Sequence, residues 1–152
     1  MSSPYKIAAV HTLGCKVNFT ETSMIAKQFQ ENGLSLVTID DFADIYVINT
    51  CSVTENANLK CDRLVRKIKR INPDAFIVVT GCYAQLKSEE LSKNNSIDLI
   101  VGSDDKLKIP AMIYNEIESN VITSNIEDVD RFYLSHSTGD RVRSFIKVQD
   151  GC

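Results

Sequence analysis

Five cysteines, Cys15, Cys51, Cys61, Cys82 and Cys152, carry most of the chemistry this sequence could do. Thiolates are soft metal ligands and nucleophiles, and an odd number of cysteines argues against a closed disulfide framework. Three of the five stand in equivalent places. Cys15 follows the apolar run 7–11, Cys51 the β-branched run 45–48, and Cys82 the run 75–79. If those runs are neighbouring parallel strands, cysteines 36 and 31 positions apart converge at the strands' C-terminal edge, where open α/β sheets bind ligands. Three thiolates there suit an iron–sulfur cluster or Zn²⁺. The competing reading is three buried loop cysteines, because free Cys is among the most buried residue types.

Other crevice chemistries fit less well. A dinucleotide fingerprint needs G-x-G-x-x-G after the first strand, and a phosphate loop needs G-K-[ST]; neither is present. His11 and His136 lack partners at zinc-ligand spacing, and His11 is the sole candidate base for a nucleophilic cysteine. A second signal lies at 60–70. Lys60, Arg63, Arg66, Lys67, Lys69 and Arg70 stand against Asp62, a local net charge of +5 in a chain of net −3. A clustered basic helix in an acidic protein is a phosphate-binding face or a solvated one. Cys61, Leu64, Val65, Ile68 and Ile71 form an apolar stripe at helical spacing, which makes Cys61 a core thiol rather than a ligand.

The elements that must position these residues alternate. Strand patterns at 7–11, 34–39, 45–48, 75–79 and 99–101 are separated by helical patterns at 18–32, 54–71, 88–94 and 106–119. Asn18 can cap the first helix, Gly33 can end it, and Asn72-Pro73 ends the second. This alternation predicts a flavodoxin-like α/β fold, an open parallel five-stranded sheet in the order 2-1-3-4-5 with helices on both faces. The link 40–44 is short for a parallel crossover, which predicts a single helical turn there or a nearly lost second strand. From Val121 the chain turns irregular and polar; 143–148 alternates like a strand and runs to Gly151-Cys152, as if cut off. We expect domain 1–120 to carry the sheet, and 121–152 to be a linker and the first strand of a truncated further domain.

Composition sets the bounds. With 152 residues, 43% hydrophobic and 24% charged, the chain is of ordinary globular make-up and long enough for one domain with a core. Its apolar runs fall far short of the roughly 20 residues that span a bilayer, and no export signal stands near Met1. A cytoplasmic protein without a membrane role is the expectation.

The motifs Thr12-Leu13-Gly14-Cys15-Lys16-Val17-Asn18, Asn49-Thr50-Cys51-Ser52-Val53-Thr54 and Thr80-Gly81-Cys82-Tyr83-Ala84-Gln85 resemble those of the methylthiotransferase N-terminal domain. Val148-Gln149-Asp150-Gly151-Cys152 resembles the start of that family's radical-SAM domain. Glu21-Thr22 stands where the family often has Glu-Ser or Asp-Ser. The resemblance is strongest to the branch that adds a methylthio group to carbon 2 of threonylcarbamoyladenosine beside the tRNA anticodon. It implies two 4Fe-4S clusters and S-adenosylmethionine in the whole enzyme. Cys15, Cys51 and Cys82 would hold the auxiliary cluster, and Cys152 would be the first ligand of the radical-SAM cluster. The implied partners are the anticodon stem–loop and a sulfide or persulfide donor, with no stable protein partner. Lys60, Arg63, Arg66, Lys67 and Arg70 would meet RNA phosphates. The chain alone is expected to be inactive, since the S-adenosylmethionine site would lie in the missing domain. The alternatives are a ribosomal-protein aspartate methylthiotransferase and a cluster-free flavodoxin-like binding module.

Overall fold

A computed structural model describes residues 5–13, 16–50, 55–102, 106–114 and 121–122. Strand β1 (Ile7–Leu13) leads into α1 (Lys16–Glu31), β2 (Ser35–Val37) and β3 (Ile45–Thr50); α2 (Glu55–Ile71) and β4 (Phe76–Gly81) follow. Two short helices, α3 (Cys82–Leu86) and α4 (Ser88–Ser92), precede β5 (Leu99–Val101). A 3-10 turn (Lys106–Lys108), α5 (Ile109–Tyr114) and β6 (Val121–Ile122) complete the described elements. All strand pairs are parallel, in the order β2-β1-β3-β4-β5-β6. The expected α/β sheet is present, with a sixth strand of two residues added beside β5. The expected strand at 143–148 lies outside the described residues.

Strand alternation splits the core in two. Ala9, Tyr46, Ile48, Ile77 and Val79 face Cys61, Val65 and Ile68 of α2, with Tyr83 and Leu91 from α3 and α4. Ala8, Ile45, Val47 and Val78 face Ile25 and Phe29 of α1, with Ile109 of α5. Full burial of Val65 and Ile68 stabilises the fold by about 1.5–3 kcal/mol each.

The helix ends follow local chemistry. α1 closes at Gly33, whose φ of 88° suits glycine, while the Leu34 N–H donates to the Phe29 carbonyl at 3.0 Å. Its start at Lys16 is two residues before the expected start at Asn18, which lies inside the helix and does not cap it. α2 stops before Pro73. There Asn72, buried, donates its side-chain amide to the Ala43 carbonyl at 2.8 Å and accepts from the Asp74 N–H at 3.0 Å.

The short crossover works through stagger. β2 pairs only with residues 7–9 of β1, ending at the level of Ala9, and β3 begins at the level of Ala8. The link therefore crosses over β1 without descending the sheet, and needs no helix. It is pinned on the way. The Tyr46 hydroxyl donates to the Asp41 carbonyl at 2.6 Å and accepts from the Ala43 N–H at 2.8 Å. The Asp44 carboxylate accepts from the Lys6 and Ile7 N–H groups at 2.9 and 3.0 Å. Of the two sequence expectations for this link, the nearly lost second strand is the one observed.

Candidate metal centre

The three cysteine motifs meet at one row of the sheet. β1, β3 and β4 end in register, with Leu13 opposite Thr50 and Thr50 opposite Gly81. Adjacent strands in a sheet are about 4.8 Å apart, so these three residues span about 10 Å. Cys82 follows Gly81 directly as the first residue of α3 and is half-buried. Cys15, Cys51 and Cys152 lie outside the described residues. Among the described residues no group of three His, Cys, Asp or Glu side chains is placed to hold a metal ion.

Gly81 makes the row possible. Its backbone sits at φ 100° and ψ −166°, a region open to glycine. A Cβ there would lie 1.9 Å from the Thr50 carbonyl oxygen and 2.9 Å from Asn49 Oδ1. β4 thus approaches β3 more closely than any side chain permits, just before Cys82.

One step below the row lies a polar layer that the sequence motifs did not single out. Thr12, Asn49 and Thr80 are register partners on the α1 face. Thr12 Oγ1 lies 2.7 Å from Thr22 Oγ1, and Asn49 Nδ2 donates to that same oxygen at 3.3 Å. Thr20, Glu21 and Thr22 of α1 are all buried, as are Asn49, Thr50 and Thr80. The Thr50 hydroxyl donates to the Thr80 carbonyl at 2.6 Å, which fastens β3 to β4 beside Gly81. The motif strings contain these residues, but partners 10 and 27 positions apart leave no local signal.

Cys61 lies with Val65 and Ile68 in the core beneath α2, fully buried. Burial, with the Asp62 carboxylate, pushes its thiol up to about 12, so it stays protonated at neutral pH. Tyr83, beside it, is pushed up to about 12 by burial, Cys61, Asp62 and Glu90. A thiol this reluctant to ionise is a poor ligand and a poor nucleophile.

On the outer side of α2, Lys60, Arg63, Arg66, Lys67 and Arg70 are exposed, with Leu59 among them 52% exposed. Two cations of the cluster are engaged within the fold. Lys67 pairs with Asp40, and Lys69 donates to the Ala75 carbonyl at 2.8 Å. His11 shares the α2 face of β1 with Ala9 and is half-buried. Desolvation lowers its pKa below 6.5, opposed by Asp40 and reinforced by Lys67.

The lowered His11 pKa has a testable sign. Above pH 6.5 both folded and unfolded chains hold neutral imidazole. As pH falls through 6.5 the unfolded chain takes the proton first, so stability declines. Urea unfolding at pH 7.5 and 5.5 is expected to show this decline, and His11→Gln to reduce it. An identical pH slope in both proteins would count against the assignment.

Among the described residues no helix is long and apolar enough to cross a membrane. A sequence profile described as "Uncharacterized protein family UPF0004" matches residues 7–102. The chain is 38% identical over 149 residues to the threonylcarbamoyladenosine tRNA methylthiotransferase MtaB of Aquifex aeolicus, covering 95% of this chain and 36% of that protein. Its identity to the protein of the same name from Bacillus subtilis is 39%, covering 95% and 33%. It is also 30% identical to the tRNA-2-methylthio-N(6)-dimethylallyladenosine synthase of Christiangramia forsetii, covering 94% and 31%. The chain spans about a third of the length of these relatives.

Proposed function

Since the chain belongs to the UPF0004 family, the N-terminal domain of methylthiotransferases, we propose that it is the cluster-holding domain of a cytoplasmic tRNA methylthiotransferase acting on carbon 2 of threonylcarbamoyladenosine. The observation that carries this reading is the shared row of Leu13, Thr50 and Gly81. A peptide bond spans about 3.8 Å between α-carbons. Cys51 and Cys82 each follow that row by one residue and Cys15 by two, which supports a common site for the three. The relatives whose names carry the threonylcarbamoyladenosine substrate support the choice of base.

The donor set fits a 4Fe-4S cluster. Three thiolates match the soft-ligand requirement, and the buried hydroxyl oxygen of Thr80, two residues before Cys82, has no hydrogen-bond partner within the fold. When bound, such a group supplies an iron with an open position where a sulfur atom can be carried. The chain's own part is to hold the three thiolates at one edge through the β1–β3–β4 register and the Gly81 approach. On this reading residues 1–120 form the cluster domain. Those beyond lead to a radical-SAM domain that binds S-adenosylmethionine, with Cys152 its first cluster ligand, and the 152-residue chain by itself is inactive. A sulfide or persulfide donor supplies the sulfur.

The exposed face of α2 would meet the anticodon stem–loop by its phosphates, through Lys60, Arg63, Arg66 and Arg70, with Lys67 shared with Asp40. Changing Arg63, Arg66 and Arg70 to Ala in the full-length protein is expected to weaken stem–loop binding. Each lost phosphate contact should lower the log–log salt slope by about 0.7–0.9. Unchanged affinity and slope would leave α2 a solvated face.

The substrate itself is tested by nucleoside analysis of tRNA from a strain lacking the full-length gene. The expected result is threonylcarbamoyladenosine without its methylthio group. Normal levels of the methylthio nucleoside would overturn the substrate assignment.

A further inference from the structure

We propose that the Thr80 side-chain hydroxyl is a hydrogen-bond donor reserved for sulfur in the cluster or thiolates at this edge; the proposal rests on the reading of the site given above. Thr80 is fully buried, and its Oγ1 has no hydrogen-bond partner. On the neighbouring strands Thr12 Oγ1 and Asn49 Nδ2 both bond to Thr22 Oγ1. Thr80's own carbonyl is taken by the Thr50 hydroxyl at 2.6 Å, while its side-chain hydroxyl, a donor, bonds to nothing in the fold.

A buried hydroxyl with no partner costs folding free energy. Valine has nearly the same shape without that cost, and Val78, Val79 and Val101 already pack in this part of the sheet. Threonine at this position is therefore a burden on the cluster-free fold. It is explained if an acceptor arrives with the bound group. Thr80 is two residues from Cys82, so their α-carbons are within about 7 Å, and Thr80 is the register partner of Asn49, itself two residues from Cys51. Hydrogen bonds to cluster or thiolate sulfur stabilise the more negative, reduced state and so raise the reduction potential. The proton stays on Thr80 Oγ1 and no covalent bond changes.

The experiment uses the full 152-residue chain, reconstituted anaerobically with iron and sulfide, beside Thr80→Val, Thr80→Ala and Thr80→Ser. Iron and sulfide content, the melting temperature of the iron-free proteins and the midpoint potential of the loaded proteins are measured. Thr80→Val is expected to melt higher than wild type when iron-free, to keep its iron, and to show a more negative potential. Thr80→Ala, which adds no bulk, is expected to match its potential, and Thr80→Ser to restore that of the wild type. Equal potentials in wild type, Val and Ala variants would overturn the proposal while leaving the site reading intact. A wild-type chain that takes up no iron would overturn the site reading and this proposal with it.

Discussion

Gly81→Ala is expected to be among the most damaging single substitutions in the domain. The Cβ would lie 1.9 Å from the Thr50 carbonyl oxygen, and that oxygen belongs to backbone that cannot rotate away. The backbone conformation adds strain of about 1–3 kcal/mol for any L side chain. Forcing the strands apart adds roughly another 1–3 kcal/mol, as overpacking does. Against a total stability of about 5–15 kcal/mol, that is a large fraction. A drop in melting temperature of about 10 °C or more follows for a chain of this size. Gly33→Ala is the control. Gly33 also has positive φ, but nothing lies within 4 Å of the added carbon, so about 1–2 kcal/mol is expected. Thermal unfolding of the two variants checks the ranking, and equal losses would show that the close approach to Thr50 is not what makes Gly81 costly to replace.

The second large effect separates two cysteines. After anaerobic reconstitution, Cys82→Ala and Cys51→Ala are expected to lose most of their iron, and Cys61→Ala to keep it. Cys61 is buried among Val65, Ile68 and Tyr83, so its loss should cost about 1 kcal/mol of stability and no iron. Its thiol, pushed up to about 12, should also resist alkylation at pH 8 in the folded chain and react once the chain is unfolded. Equal iron losses in Cys61→Ala and Cys82→Ala would mean that the ligands had been assigned wrongly.

The sequence carried the order of the elements because their apolar spacing is strong. The β5 bounds and the α2 stripe with Cys61 inside it were legible in this way. The strand ends were not. Apolar runs stop at His11, Ile48 and Val79, whereas β1, β3 and β4 continue two residues further. Thr12, half-buried, and Asn49 and Thr80, buried, stay in the ladder as a polar layer partly bonded to Thr22 of α1, and hydropathy cannot see such bonds. α3 was missed because five residues, Cys82–Leu86, are too few to show a helical period. β6 was missed for the same reason, with only two residues. The engaged state of Lys67 and Lys69 was equally hidden. Their partners, Asp40 and the Ala75 carbonyl, come from the β2–β3 link and the turn before β4.

The stagger that lets β2 cross to β3 has a second result at the opposite end of the sheet. β2 stops beside Ala9 and β5 stops beside Thr80, so neither reaches the row of Leu13, Thr50 and Gly81. Among the described residues, only β1, β3 and β4 rise to that height, as a three-strand promontory with lower ground on both flanks. A sheet with full-length outer strands would enclose its middle and admit a visitor from above alone. Among the described strands, the tip stands one residue above its neighbour on the β5 side and four above it on the β2 side.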